Sequence, residues 1–235
     1  MHAMGERVEG LPAARATRVG VIGGTGALGR GLAVRLAAAG HQIVIGSRDA
    51  DRARQSVASM PSLTRAAVTG GSNLDACRAD LVLVAVPWAV HAATLEELGD
   101  AIADRVLVDC VNPLGFDDRG PFALPVPEGS ACEQAQRLVP SARVVGAFHH
   151  VSAPLLLDES IALATDVMVV GDDAGAVQQV IDLVDSMDGL RGVHAGGLRN
   201  ASQVEALTAN LIAVNRRYRV HSGVRITGWE GRTHS

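Results

Sequence analysis

The sequence predicts an α/β protein: a doubly wound parallel sheet followed by a smaller C-terminal α/β unit. Three observations carry this. Short runs of β-branched residues and leucine, at 19–22, 43–45, 81–86 and 106–111, have the continuous apolar character of strands buried on both faces. Segments with helical spacing of apolar residues lie between them. The first run also stops at a glycine cluster, RVGVIGGTGALG, in which Gly24, Gly26 and Gly29 stand at GxGxxG spacing before a helix-forming stretch.

The elements follow in order. Residues 1–17 show no period and read as a mobile extension. After the glycine cluster a helix over 30–39 buries Leu28, Leu32, Ala33 and Leu36, and Gly40 ends it. A strand over 41–46, a helix over 50–59 that stops before Pro61, and a weaker strand over 64–69 come next, with GGSN read as a turn. A short helix over 74–79 leads into the strand at 81–86, and a helix over 89–98 into the strand at 106–111. Residues 112–129 read as a Pro/Gly-rich loop without a regular element. Ser130 and Glu133, at capping-box spacing, open a helix to residue 138, and 144–148 makes the sixth strand. Two successive βαβαβ halves define a doubly wound sheet over 18–150. Residues 151–235 form the smaller unit: strands near 167–170 and 192–195, a helix over 174–187 and a last helix. In that helix Ser202 and Glu205 stand at capping-box spacing, and Val204, Leu207, Leu211 and Val214 form a stripe read as core or dimer contact.

Composition excludes several classes. Net charge is −4 with both signs interspersed, so no basic patch for nucleic acid or polybasic membrane anchor stands out. No apolar run reaches the roughly 18 to 20 residues that span a bilayer, and the opening residues lack a signal peptide's apolar core. The cytoplasm is the expected compartment. Three cysteines, Cys77, Cys110 and Cys132, without a CxxC, read as small buried hydrophobes rather than a disulfide framework.

Glycines at this spacing permit a tight turn, close approach of backbone to a pyrophosphate, and close helix–strand packing, while the helix N-terminus faces the phosphates with unpaired N–H groups. An NAD site carries an acidic residue at the tip of the second strand. Here that tip reads Gly46, Ser47, Arg48, with Arg52 a helical turn later, and Asp49 is turned toward its own helix. Two guanidiniums and a hydroxyl suit a 2′-phosphate, which predicts NADP(H).

The site should lie at the carboxyl ends of the strands, around Pro87, Trp88, Asn112, Pro113 and residues 148–153. No hydrolytic triad, HExxH or paired carboxylates appear there. His149 and His150 are adjacent in an extended segment and point apart, so no metal site is expected. His91 and His194 read as structural. A nicotinamide site poor in acid–base groups suits hydride transfer between two cofactors.

GVIGGTGALGRGLAVRLAAAGHQIVIGSR, the strand ending AVPW, the VNPL turn, VVGAFHHVSA and GLRGVHAGGLRNASQVEALTANLI together resemble the NADPH-dependent coenzyme F420 reductases, actinobacterial members in particular. The resemblance covers nearly everything after residue 17. It implies hydride transfer between NADP(H) and the deazaflavin coenzyme F420 by a homodimer. The stretch Gly24, Thr25, Gly26, Ala27, Leu28 and Gly29 would carry the pyrophosphate, and Ser47, Arg48 and Arg52 the 2′-phosphate. Val86, Pro87 and Val111 would flank the middle of the cofactor. His149, Val151 and Ala153 match the stretch under the deazaflavin ring, with His149 a possible catalytic residue. The chain has Val151-Ser152 where other members carry Ile-Pro. The alternatives are an NADP-dependent reductase of a small imine or hydroxy acid and a non-catalytic NADP(H)-sensing module. The first usually carries a lysine or similar acid, and this chain has no lysine.

Overall fold

The computed structural model describes residues 16–228; residues 1–15 and 229–235, which include most of the expected N-terminal extension, lie outside the described residues. β1 (Arg18–Ile22) leads through the glycine turn into α1 (Ala27–Ala38), which ends at the positive-φ residue Gly40. β2 (Gln42–Ser47) is followed by α2 (Ala50–Ala58) and the one-turn α3 (Ser62–Arg65). β3 (Val68–Ser72), α4 (Asn73–Cys77) and β4 (Leu81–Val84) complete the first half. The second half runs through α5 (His91–Ile102), β5 (Val106–Asp109), the strands β6 (Leu114–Asp117) and β7 (Gly120–Ala123), α6 (Ala131–Leu138) and β8 (Arg143–Gly146). Then come α7 (Ala153–Leu157), β9 (Thr165–Gly171), α8 (Ala174–Asp185), β10 (Leu190–His194) and α9 (Ala201–Tyr218).

Among the described residues the main sheet has the order β10-β9-β8-β5-β4-β1-β2-β3. From β3 to β8 all pairings are parallel, in the order of a doubly wound sheet, with its switch point between β1 and β4. β9 pairs antiparallel with β8, and β10 pairs parallel with β9 after the α8 crossover, so the C-terminal strands extend the same sheet. Alternation along the strands divides the core between the two faces. Leu81 and Leu83 of β4 face α1 and α2, whereas Val82 and Val84 face α4, α5 and α6.

Several expected elements differ. The strand anticipated at 64–69 begins only at Val68, because Pro61 opens a helical turn in which Thr64 Oγ1 donates to the Pro61 carbonyl. Gly70 and Gly71 then belong to the strand rather than to a turn. A Cβ on Gly70 would lie 2.6 Å from the α2 backbone, so glycine here serves close packing. Residues 112–129 contain a β-hairpin, not an irregular loop: the Asp117 carboxylate accepts from the N–H groups of Arg119 and Gly120, and Gly120 takes φ 120°. The first helix starts at Ala27, three residues before the anticipated 30.

β1 runs so close to α4 that a Cβ on Gly20 would strike the carbonyl oxygen of Ala76. Gly20→Ala should therefore lower stability by about 2 to 3 kcal/mol in urea denaturation, the usual cost of overpacking. A loss within experimental error would mean that β1 and α4 can separate freely.

Candidate active site

Two adjoining clefts open at the carboxyl ends of the strands. The first, of about 360 Å³, lies at the switch point between the glycine turn, the tip of β2 and the segment after β4. Its turn residue is Gly23, at φ 76°, one position before the GxGxxG spacing that places the turn at Gly24. A Cβ on Gly23 would lie 2.7 Å from the Ala85 carbonyl oxygen, one on Gly24 2.8 Å from the Ile45 side chain, and one on Gly29 2.7 Å from the Gly24 Cα. Gly26 is the N-cap of α1, and no side chain caps that helix or puts a carboxylate in its first turn. The helices α2, α4, α6 and α8 are capped by Asp49, Ser72, Ser130 and Asp173, whereas α3, α5, α7 and α9, like α1, have no side-chain cap. The first-turn amides of α1 are thus left to an anion, which fits a pyrophosphate.

Thr25, Gly26, Ser47, Arg48, Arg52, Val86 and Pro87 line this crevice. Asp49 borders it too, but its Oδ1 accepts from the N–H groups of Asp51 and Arg52 at 2.9 and 3.2 Å, as its predicted turn toward α2 requires. Asn73 and Thr94 also line it and were not anticipated. The Asn73 Oδ1 is buried without a partner, an orphan acceptor that a bound nucleotide's donor would satisfy. Reading GGSN as a turn hid it, although Ser72-Asn73-Leu74-Asp75 carries a capping-box signal. Ala27 is exposed at the start of α1, and Val111 is buried at 2% exposure in the core.

The second cleft, of about 690 Å³, is large enough for a cofactor-sized ring and is mostly apolar. Leu28 on α1, the segment 149–154, and Thr208, Leu211 and Ile212 on α9 line it. Leu28 therefore faces this cleft, while Thr25 and Gly26, just before it, face the other. Leu211, read from the sequence as core or dimer contact, is a wall of the cleft.

Beside it, the His149 carbonyl accepts from Asn112 Nδ2 at 2.9 Å and from Thr208 Oγ1 at 2.8 Å. The two neighbouring imidazoles diverge. His149 Nε2 lies 3.9 Å from Cys132 Sγ, and His150 Nε2 accepts from the Met168 N–H at 3.2 Å. Burial lowers both histidines to about 4, so both rings are uncharged at neutral pH. Val151 is 9% exposed, and Ala153 opens α7 with Pro154 behind it.

Under the cleft floor is a buried polar network. Asp109 Oδ2 lies 2.6 Å from His91 Nε2, and His91 Nδ1 lies 2.9 Å from Gln134 Oε1. Burial opposes charge on His91, but Asp109 outweighs it and raises the ring's pKa. Glu205 does not cap its own helix. Its two oxygens accept from the N–H groups of Ala131 and Cys132, so it caps α6, while Asn200 is the residue before α9. Donor atoms of Asp109, Cys132 and His149 lie within 4.8 Å of one another, but Asp109 is already bonded to His91 and the Val111 N–H, and burial holds the Cys132 thiol protonated.

A glycine turn at the switch point, with a ring-sized apolar cleft on the far side of the same helix start, defines a pyridine-nucleotide oxidoreductase of the doubly wound class. Comparison narrows the class. The family model described as NADP oxidoreductase coenzyme F420-dependent matches residues 18–113. An F420-dependent NADP reductase of Methanothermobacter thermautotrophicus is 37% identical over 219 residues, which cover 89% of this chain and 94% of that one. The crystal structure of a protein assigned as an F420-dependent NADP reductase of Arthrobacter sp. FB24 matches with TM-score 0.76 at 29% identity, covering 90% of this chain and 100% of that one. An imine reductase of Bacillus cereus, at 17% identity and TM-score 0.61 over 86% of this chain and 63% of its own, shares the fold alone. The chain belongs to the F420-dependent NADP reductase family.

Two expectations follow. If Arg48 holds the 2′-phosphate of the cofactor by charge-assisted hydrogen bonds, Arg48→Ala should weaken NADPH binding about tenfold and leave NADH nearly unchanged in a fluorescence titration; equal weakening of both would exclude that role. The second concerns Glu205, whose pKa burial raises to about 7. The folded state then holds a proton that the unfolded state releases, so this contribution is present below about 4.5 and lost as pH rises to about 7. The stability advantage of the native chain over Glu205→Gln, followed by urea denaturation, should shrink across that interval. A growing advantage would mean that the two amide hydrogen bonds outweigh burial.

Proposed function

We infer that the protein transfers hydride between NADP(H) and the deazaflavin coenzyme F420. The observation that carries this is the placement of the two clefts on either side of the first turn of α1, with Thr25 and Gly26 on one and Leu28 on the other. When bound, the two cofactors supply the hydride donor and acceptor. The chain's own part is to hold and align them and keep water out.

In this reading Thr25 and Ala27 present backbone donors to the pyrophosphate, Gly26, whose own N–H donates to the Gly23 carbonyl, lets it come close, and Ser47, Arg48 and Arg52 clamp the 2′-phosphate. Val86 and Pro87 flank the middle of the cofactor, while Val111, buried in the core and outside the crevice lining, does not. Val151, Ala153 and Leu28 form the apolar wall for the second ring, with Ala153 small enough to let it lie close. Residues 151–235 act as the unit that closes the deazaflavin cleft over the dinucleotide-binding part, 18–150. His149 contributes through its carbonyl, since its uncharged ring is turned into the core against Cys132.

The same reading makes the protein a cytoplasmic homodimer. Val214 and Tyr218 are exposed apolar side chains of α9 that a second copy would cover, and three free, buried cysteines suit a reducing compartment.

Purified protein mixed with oxidised F420 and NADPH deuterated at C4 tests the reading. Direct transfer leaves the label on C5 of the reduced deazaflavin in ordinary water. Label in the solvent, or no bleaching of the deazaflavin absorbance, would overturn it. Ala153→Leu should depress turnover with F420 while NADPH affinity stays nearly constant.

A further inference from the structure

The ring cleft carries charge that alignment of two flat rings does not use. Thr208, bonded to the His149 carbonyl, marks one point on the cleft wall formed by α9. Arg216 stands eight residues further along that wall, about 12 Å at the helical rise and further than a fused three-ring system is long, so it lies where a substituent of the ring rather than the ring itself would reach. Its guanidinium lies over the Phe116 ring, 5.8 Å from the ring centre.

Beyond it α9 stops at Arg219, in the left-handed conformation at φ 55°, and the chain returns across the end of the cleft. The return is held in place. The Ser222 N–H donates to Asn215 Oδ1 at 2.6 Å, and His221 Nδ1 lies 3.4 Å from Ser152 Oγ on the opposite wall. The lining of this cleft includes Arg216, Arg219 and His221 but no carboxylate, in a chain whose acidic residues outnumber its basic ones by 25 to 21. Arginines also suit the C-terminal end of a helix dipole, but Arg217, in the same last turn and outside the cleft, meets that demand equally well.

We propose that Arg216, Arg219 and His221 form an anion-recognition subsite that holds the charged tail of the deazaflavin acceptor, a phosphodiester or carboxylate group, and so favours the tailed coenzyme over its bare ring system. The proposal rests on the deazaflavin reading above. Arginine's planar fork suits both anions, and charges at the rim of a site act mainly on association, so the preference depends on salt.

The test compares kcat/KM for F420 with kcat/KM for the tailless deazaflavin that carries only its ribityl chain, in the native protein and in Arg216→Gln/Arg219→Gln, at low and high salt. The ratio of the two should fall about fivefold or more in the variant, and in the native protein should fall with salt. A parallel NADPH titration reports whether the variant is folded; if it is not, single Arg219→Gln carries the test, and Arg216→Lys/Arg219→Lys should keep the salt dependence. A ratio unchanged by the substitutions and by salt overturns the subsite while leaving hydride transfer to the deazaflavin intact. Reduction of neither deazaflavin by the native protein overturns the functional reading and the subsite with it.

Discussion

Two hydrogen bonds onto one carbonyl oxygen, that of His149, hold together the parts of the chain that make the ring cleft. Asn112 comes from the segment after β5, Thr208 from the middle of α9, and His149 from the turn after β8, where Phe148 is buried in the left-handed conformation. Fixing that carbonyl fixes the direction in which Val151 and Ala153 leave it. The far end of the same segment is held just as firmly. Arg35 of α1 donates to the carbonyls of Leu155, Leu156, Asp158 and Ile161, at 2.6 to 3.0 Å, and Gly31 lets Leu156 lie against the helix. The helix whose start faces the dinucleotide crevice therefore also anchors the wall of the second cleft, which sets the two sites in register.

Under this knot the core holds ionisable groups that would be costly to bury alone. Asp109 and His91 are both fully buried, and their mutual bond, extended by Gln134, compensates part of that cost. Glu205 binds the two amides at the start of α6, a helix that Ser130 also caps, so it ties α9 to the second half of the sheet. His149 and His150 oppose Glu205 in their pH dependence. Both are lowered, so their contribution is present above about 6.5 and lost as pH falls to about 4. The cleft wall and the scaffold beneath it thus have opposing acid-side and base-side contributions.

Most of the sheet was legible in the sequence because parallel strands buried on both faces must be apolar at every position, as 81–84 and 106–108 are. Where an element depends on a close approach instead of on apolar content, the pattern failed. Gly70 and Gly71 look like a turn until α2 is seen lying across Gly70 and the Asp75 side chain against Gly71, and the hairpin at 114–123 has exposed phenylalanines and local hydrogen bonds to define it. The capping signal at Ser202 and Glu205 misled for a related reason: spacing shows that a carboxylate can reach its own helix start, but a neighbouring helix start in the folded chain was the one it met.

By itself the sequence determined the fold class, the glycine turn, and the arginine-bearing tip of β2, since each rests on local backbone geometry or on a few adjacent residues. Its motif runs also pointed to the family. Only the tertiary structure decided that the turn residue is Gly23, that Asn73 and Thr94 join the dinucleotide crevice, and that Leu28 faces the ring cleft. It also decided that Thr208 and Leu211 of α9 build that cleft with a loop some sixty residues earlier. These depend on which distant surfaces meet, and contacts between α9, the turn after β8 and the end of β5 leave no periodic trace in any one of them.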